Sequence, residues 1–284
     1  MDTLPEALIC KRDRLLAVLG RMESCLVAFS GGLDSTVLAQ AAHLALGSRA
    51  VAVTGVSASL APGELEECIT LARQIGIRHE VLETAELEAP GYQANAGNRC
   101  YFCKAELFTK LSAYARDHAI GVICDGTNLD DRQEHRPGRQ AGRERNIASP
   151  LADCELTKAE IRQLAAHWGL PNSSKPATPC LSSRIAYGER VTPERLAMIG
   201  QAEQYLRARG FRTLRVRYHK DDLARIEVSA ADLPRLAEVS LRTELVAYLK
   251  SIGFKYVSLD LEGFRSGSLN AVLPVESLFT NSRQ

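Results

Sequence analysis

Ser30-Gly31-Gly32-Leu33-Asp34-Ser35 is the stretch of this chain whose residue types point most directly to chemistry. Two adjacent glycines let a backbone turn tightly and approach an anion closely. Where such a turn opens a helix, the first N–H groups and the helix dipole both favour phosphate oxygens. The hydroxyls of Ser30 and Ser35 add donors. Asp34 would repel phosphate unless a cation lay between them, which assigns it to Mg²⁺, directly or through water. No Gly-Lys-Ser/Thr is present here, so this is not the usual kinase or ATPase loop. A bare Gly-Gly would read as an ordinary turn before a capped helix; the whole hexapeptide, after the first strand of a parallel sheet, reads as a loop for the phosphates of ATP.

The second constellation is made of sulfur. Cys100-Tyr101-Phe102-Cys103 lies at the start of an expected helix, a spacing that brings two sulfurs within reach of one metal or cluster and also serves as a redox pair elsewhere. Cys180 stands in Thr178-Pro179-Cys180-Leu181-Ser182-Ser183-Arg184, a loop without apolar periodicity. A cysteine among prolines, serines and an arginine reads as reactive, because nearby cations favour the thiolate. Three cysteines suit a [4Fe–4S] cluster that leaves one iron open. Zinc would want a fourth protein ligand, which only Cys154 or a histidine could supply. Cys25 and Cys124 fall in expected strands and Cys10 and Cys68 on expected helices, so these four read as packing residues, as does Cys154.

Further charged groups complete the set. Asp125-Gly126-Thr127-Asn128, followed by Asp130 and Asp131, closes the fourth strand, and ligands bind at strand carboxyl ends in parallel sheets. The plain alternative for Asp130 and Asp131 is a solvated turn. Arg215 and Arg217 are two apart on an expected strand and share a face, where two guanidinium groups suit a phosphate. An exposed strand face is the plain alternative.

The elements that must position these residues follow from periodicity. Short apolar strands at residues 24–29, 49–56, 78–82 and 120–125 alternate with helical spacing at 4–22, 36–46, 62–75, 102–118 and 157–168. That alternation means βαβ units and a parallel sheet covered on both faces. Residues 125–157 and 170–192 read as long polar loops. After Thr192 the pattern becomes α+β, with helices at 193–209 and 230–252 and strands at 212–218, 223–228 and 254–261. The expected organisation is an α/β domain over residues 1–188 and a smaller α+β domain over 189–284 that binds substrate or mediates assembly.

Composition sets limits on function. Lys+Arg number 35 and Asp+Glu 34, so the broad basic field of a protein that grips long nucleic acid is missing, although a local patch is not. No apolar run reaches the roughly 18–20 residues that span a bilayer, and the opening residues lack the basic start and apolar middle of a signal peptide, so a cytoplasmic chain is expected. The eight cysteines suit core, metal or reactive roles in a cytoplasmic enzyme rather than disulfides.

The hexapeptide resembles the hallmark of the PP-loop ATP pyrophosphatases. Together with residues 98–104 and 125–131, Arg136-Pro137-Gly138, residues 179–184, Arg215-Val216-Arg217 and Gly263-Phe264-Arg265-Ser266-Gly267, it makes the chain similar to the LarE sulfur transferases from about Arg21 to Leu273. The resemblance implies cleavage of ATP to AMP and pyrophosphate, and adenylylation of the carboxylates of pyridinium-3,5-dicarboxylate mononucleotide. Replacement of oxygen by sulfur then serves nickel-pincer nucleotide biosynthesis and lactate racemase maturation. It further implies nucleotide contacts from Ser30, Gly31, Gly32, Asp34, Ser35, Asp125 and Thr127, and substrate phosphate held by Ser183, Arg184, Arg215 and Arg217. Lys104 would face phosphate or the adenylylated intermediate, and Glu203 would act near the sulfur donor as a general base. Sulfur would come either from a [4Fe–4S] cluster on Cys100, Cys103 and Cys180, loaded with sulfide, or from a sacrificed Cys180. A homo-oligomer is implied as well. The competing readings are a tRNA thiolase of the same superfamily, an amide-forming ligase such as NAD synthetase, and a nucleotide-sensing module.

Overall fold

The computed structural model describes residues 4–132, 137–173, 179–265 and 268–269. Arg136, Ser266 and Gly267 of the matched motifs, and residues 175–178 ahead of Pro179, lie outside the described residues. The chain folds as two compact units whose segments interleave. One is drawn from Met1–Ser57, Gly63–Glu86 and Cys100–Thr178, the other from Ala58–Pro62, Leu87–Arg99 and Pro179–Gln284. The division is therefore not a single cut after residue 188.

The first unit runs α1 (Glu6–Gly20), β1 (Cys25–Ala28), α2 (Leu33–Leu46), β2 (Ala50–Val56), α3 (Glu64–Ile75) and β3 (Arg78–Glu83). A short α4 (Pro90–Gln93) belongs to the second unit. The first unit resumes with α5 (Arg99–Asp117), β4 (Val122–Cys124), α6 (Pro137–Arg143), α7 (Pro150–Asp153) and α8 (Lys158–His167). All strand pairings are parallel, in the order β3-β2-β1-β4. Successive strand residues point to opposite faces, so Cys25 and Val27 join an apolar layer with α1, α2 and α8, while Leu26 joins Phe108 and Leu111 of α5 on the other side. Burial on both faces explains why β1 and most of β2 read as unbroken apolar runs, whereas β3, at the sheet edge, is exposed or half-buried throughout and carries charged residues.

The expectations for this unit hold with two differences. Helix α5 starts at Arg99 rather than residue 102, which places both Cys100 and Cys103 within it. The stretch 125–157, expected as loop, contains α6 and α7. Neither is long enough for a periodic apolar stripe to show, and α7 opens on Pro150, a residue suited to a first helical turn.

The second unit continues with α9 (Pro193–Ala208), β5 (Leu214–His219), β6 (Leu223–Val228), α10 (Leu233–Ala237), α11 (Val239–Ser251) and β7 (Tyr256–Leu259). Strands β5 and β6 are antiparallel, and β6 pairs with β7 in parallel. The single helix expected over 230–252 is broken: Pro234 lies in the first turn of α10, and Glu238 is extended at φ −56, ψ 133 between α10 and α11. One sheet face is apolar, with Leu214, Val216, Ala224, Ile226 and Val228 buried. The other carries Arg215, Arg217, Arg225 and Glu227, and it is not the exposed face that alternation suggests: Arg217 and Glu227 are buried.

Candidate active site

Strand β1 has β2 on one side and β4 on the other, so the chain order reverses there and a crevice opens at the carboxyl ends of β1 and β4. Residues 30–35 and 125–131 both follow these strand ends. Gly31 adopts φ +66, and a Cβ there would lie 2.9 Å from Cys68 Sγ, so both conformation and space demand glycine. Gly32 takes the extended N-cap position of α2, and no side chain caps that helix. The first N–H groups of α2 are therefore left for an anion. Ser30 and Ser35 stand with hydroxyls 3.2 Å apart, and Ser35 Oγ donates to Gly32 O at 3.0 Å.

The second loop is knitted to the first. A Cβ on Gly126 would fall 2.9 Å from Ser35 N, so only glycine permits this approach. Asp125 accepts from the Thr127 backbone N–H at 3.1 Å, from Thr127 Oγ1 at 2.9 Å and from Ser149 Oγ at 2.8 Å. Asn128 Nδ2 donates to Asp34 Oδ1 at 3.1 Å. Asp131 and Asn128 each accept the other's backbone N–H at 3.1 Å, and Asp130 accepts the N–H of Lys158 at 2.8 Å. Both acids thus shape the loop rather than a solvated turn.

Two residues of this region give no functional sign in the sequence. Lys158, the first residue of α8, forms an ion pair with Asp34. Its sequence context, Thr157 followed by Glu160, advertises only a helix cap. Asn172 donates through Nδ2 to Gly31 O at 3.0 Å and to Thr36 Oγ1 at 2.9 Å, while its buried Oδ1 has no partner. Among the described residues no three His, Cys, Asp or Glu side chains are grouped as metal ligands. Such a donor set still fits Mg²⁺, which takes one or two carboxylates and completes its shell with phosphates and water.

In α5, Cys100 is exposed and Cys103 half-buried, three residues apart on one helix face. No disulfide links any of the eight cysteines. This pair fits two positions of a metal or cluster site, while Cys180 belongs to the second unit. Lys104 follows in the same turn with Nζ 5.6 Å from the Phe108 ring centre, and a Cβ on Gly138 would press within 3.0 Å of Lys104 Cγ. Cys25 and Cys124 lie buried with sulfurs 3.3 Å apart, and their mutual contact and burial push the Cys124 thiol up, which keeps it inert. Cys68 and Cys154 are buried as expected of packing residues; Cys10, on α1, is exposed.

In the second unit, Cys180 is half-buried and leads a tight turn over Leu181–Arg184. Leu181 N–H donates to Ser59 O at 2.8 Å, Ser182 Oγ lies 2.6 Å from Tyr92 Oη, and Arg99 donates to Ser182 O at 2.7 Å. Asn95 Nδ2 reaches the carbonyls of Ile185, Ala186 and Glu189 at 2.9–3.2 Å. The turn is therefore gripped by Ser59, Tyr92, Asn95 and Arg99, which sequence spacing does not connect to it.

Arg184 is 0% exposed. Its guanidinium donates to Glu203 at 3.0 and 3.3 Å, to Cys180 O at 2.8 Å, and to Pro179 O and Ser183 Oγ. Glu203, 3% exposed in its side chain, also accepts from Arg207 at 3.4 Å and from Val216 N at 3.2 Å. Arg217 forks onto Glu227 at 2.8 and 3.0 Å and reaches Ser183 O at 3.2 Å. These three residues are committed to internal partners. Arg215 differs: it donates to Leu214 O at 2.8 Å and lies over Phe264, with no carboxylate paired to it among the described residues. Burial first, then the neighbouring Arg184, Arg217 and Arg207, push its guanidinium down to about 10 against the opposing pull of Glu203. An anion placed beside Arg215 would relieve that repulsion, while the Ser183 hydroxyl donates to Cys180 O at 2.8 Å.

A parallel sheet whose first strand feeds Ser-Gly-Gly-x-Asp-Ser into an uncapped helix at the reversal point defines the PP-loop class of ATP-cleaving enzymes. No protein-family model matches the chain. It is 46% identical, over 93% of its length and 98% of the relative's, to an uncharacterized protein of Synechocystis sp.. It is 34% identical, over 96% of its length and 98% of the relative's, to the pyridinium-3,5-bisthiocarboxylic acid mononucleotide synthase of Lactiplantibacillus plantarum. A shorter match, 27% identical over 63% of the chain and 62% of the relative, is to a glutamine-hydrolyzing GMP synthase chain of Archaeoglobus fulgidus. The chain belongs to the LarE family of ATP-dependent sulfur transferases. No helix among the described residues is long and apolar enough to cross a membrane.

Proposed function

We propose that this enzyme adenylylates both carboxylates of pyridinium-3,5-dicarboxylate mononucleotide and converts them to thiocarboxylates, as the name of its Lactiplantibacillus plantarum relative describes. A substrate carboxylate oxygen attacks the α-phosphorus of ATP and pyrophosphate leaves. Sulfide then attacks the acyl carbon, AMP leaves, and the thioacid gives up its proton. The observation that carries the first step is the uncapped α2 behind left-handed Gly31. The loop of residues 30–35 holds phosphate, while Asp34 with Asp125 and Thr127 would receive Mg²⁺ as well as nucleotide. Lys104 faces the phosphates or the acyl adenylate, and Ser183 with Arg215 receives the substrate phosphate.

Arg184, Arg217 and Glu203 act in this reading by fixing the Cys180 turn and the Arg215 strand, since each is buried against internal partners. That replaces general-base chemistry at Glu203 and direct phosphate contact by Arg184 and Arg217. Cys100, Cys103 and Cys180 would hold a [4Fe–4S] cluster, which supplies a place to carry the incoming sulfide. The protein works as a homo-oligomer in a reducing cytoplasm, where accessible thiols such as Cys100 persist.

Anaerobic purification with an iron count, then reaction with ATP, Mg²⁺, the dicarboxylate mononucleotide and sulfide, tests this reading by mass spectrometry. The expected result is AMP, pyrophosphate and thiocarboxylate over many turnovers, lost when Cys100, Cys103 and Cys180 are changed to Ala. A single turnover that converts Cys180 to dehydroalanine would replace the cluster with a sacrificial route. Amide product formed with ammonia by the triple variant, or copurifying tRNA that accepts sulfur, would overturn the substrate assignment.

A further inference from the structure

The motif at residues 263–267 has no task in the reaction above, and its described residues close on the end of β6 in the second unit. Gly263 takes φ +72, and a Cβ there would come within 2.8 Å of Val228 O, the carbonyl that accepts the Phe264 N–H at 2.7 Å. Only glycine brings the chain this near. The ring of Phe264 is thereby held beside β5, where the guanidinium carbon of Arg215 lies over it, 5.2 Å from its centre.

The residue directly opposite Arg215 in the β5–β6 register is Glu227. Unlike charges placed so across two strands ordinarily pair. Here they do not, because both oxygens of Glu227 are taken. Oε2 accepts from Arg217 at 2.8 and 3.0 Å, while Oε1 accepts from Ser268 at 2.6 Å and pairs with Arg225 at 3.2 Å. The segment after β7 thus gives Ser268 to the carboxylate and Phe264 to the cation. An aromatic face holds a guanidinium without neutralising it: the plane is fixed, and the N–H groups at its edge stay available to an outside acceptor. A carboxylate would consume those donors.

We propose that Phe264 is a positioning residue for substrate binding, its ring orienting Arg215 so that the guanidinium edge meets the phosphate of the mononucleotide. The inference rests on the reading that Arg215 receives that phosphate, and it names the group that prepares the arginine. Phe264 acts through Arg215 and not on the reacting carboxylates.

A double-variant cycle on the intact protein tests it, with the dissociation constant for the dicarboxylate mononucleotide read by calorimetry and kcat and the KM for ATP measured beside it. Phe264→Leu should weaken mononucleotide binding about tenfold, with kcat and the KM for ATP changed less than about threefold. Phe264→Tyr keeps a ring under the guanidinium and should restore the affinity. Arg215→Gln should itself weaken binding by about tenfold or more, and in that background Phe264→Leu should add less than about twofold, since no guanidinium is left to orient. A purely structural loss would add in both backgrounds. If Phe264→Leu does not fold, Phe264→Met, which fills similar space without a flat face, is read in its place. Additive losses would overturn the inference. So would unchanged mononucleotide affinity in the Phe264 variants while Arg215→Gln loses it. A parent that did not bind the mononucleotide, or an Arg215→Gln variant that bound it as the parent does, would overturn the phosphate reading first, and this inference would fall with it.

Discussion

At the end of β1, the groups offered to a ligand are backbone N–H groups and two serine hydroxyls, with Asp34 bound to Lys158 and Asn128 as the local ion pair. At the Cys180 turn the charges are many and mostly turned inward: Arg184 on Glu203, Arg217 on Glu227, Arg225 on Asp260. The first region binds by leaving helix donors unsatisfied. The second builds a rigid frame of buried ion pairs and leaves Arg215 outside the pairing. Buried charges stay stable only with partners in place, so this frame holds one geometry but tolerates little change.

Substitutions separate these two designs. The largest effect belongs to the frame. Glu203→Ala leaves Arg184 buried without its carboxylate and should cost about 3–5 kcal/mol, read as a shifted urea midpoint. A variant that kept its midpoint and lost only turnover would return Glu203 to the role of base. Next comes the loop. Asp34→Ala should lower AMP release by about 10²–10³-fold with little change in unfolding, as expected when a preorganised charge at the reacting phosphates is removed. Equal losses of stability in Asp34→Ala and Glu203→Ala would erase the distinction between the regions.

A smaller effect is expected at Asn172→Ala, which strips the Gly31 carbonyl of a buried donor. A loss of about 1–3 kcal/mol follows, with a raised KM for ATP and kcat less affected. The smallest effect is in pH. Arg215 is pushed down from its ordinary value to about 10, so the charged form that binds an anion prevails well below pH 10 and is lost as pH rises through it. Phosphate-bearing substrate should therefore bind progressively more weakly as pH rises through 10, and the Arg215→Lys variant should show a different midpoint. Burial penalises the same charge in the folded state, so stability rises with pH above about 10, where the unfolded chain holds the extra proton.

How much was legible differs between the regions for a physical reason. The parallel sheet, the turn at residues 30–35 and the strand-end acid Asp125 could be read because each depends on residues adjacent in sequence. Helices α6 and α7 could not, being too short to display a period. Arg184, Arg217 and Glu203 read as ligand groups because a charged residue in a motif carries no mark of where its partner stands.

The order of amino acids by itself determined the α/β class, the phosphate-binding turn and the presence of three candidate sulfur ligands. These follow from local rules: strand alternation, glycine at positive φ and an uncapped helix start. Only the tertiary structure decided that Lys158 meets Asp34, that Asn172 pins Gly31, and which arginine escapes pairing. Each of those contacts joins residues far apart along the chain. Their energies exist only after the backbone has closed the distance, and no spacing rule carries that information.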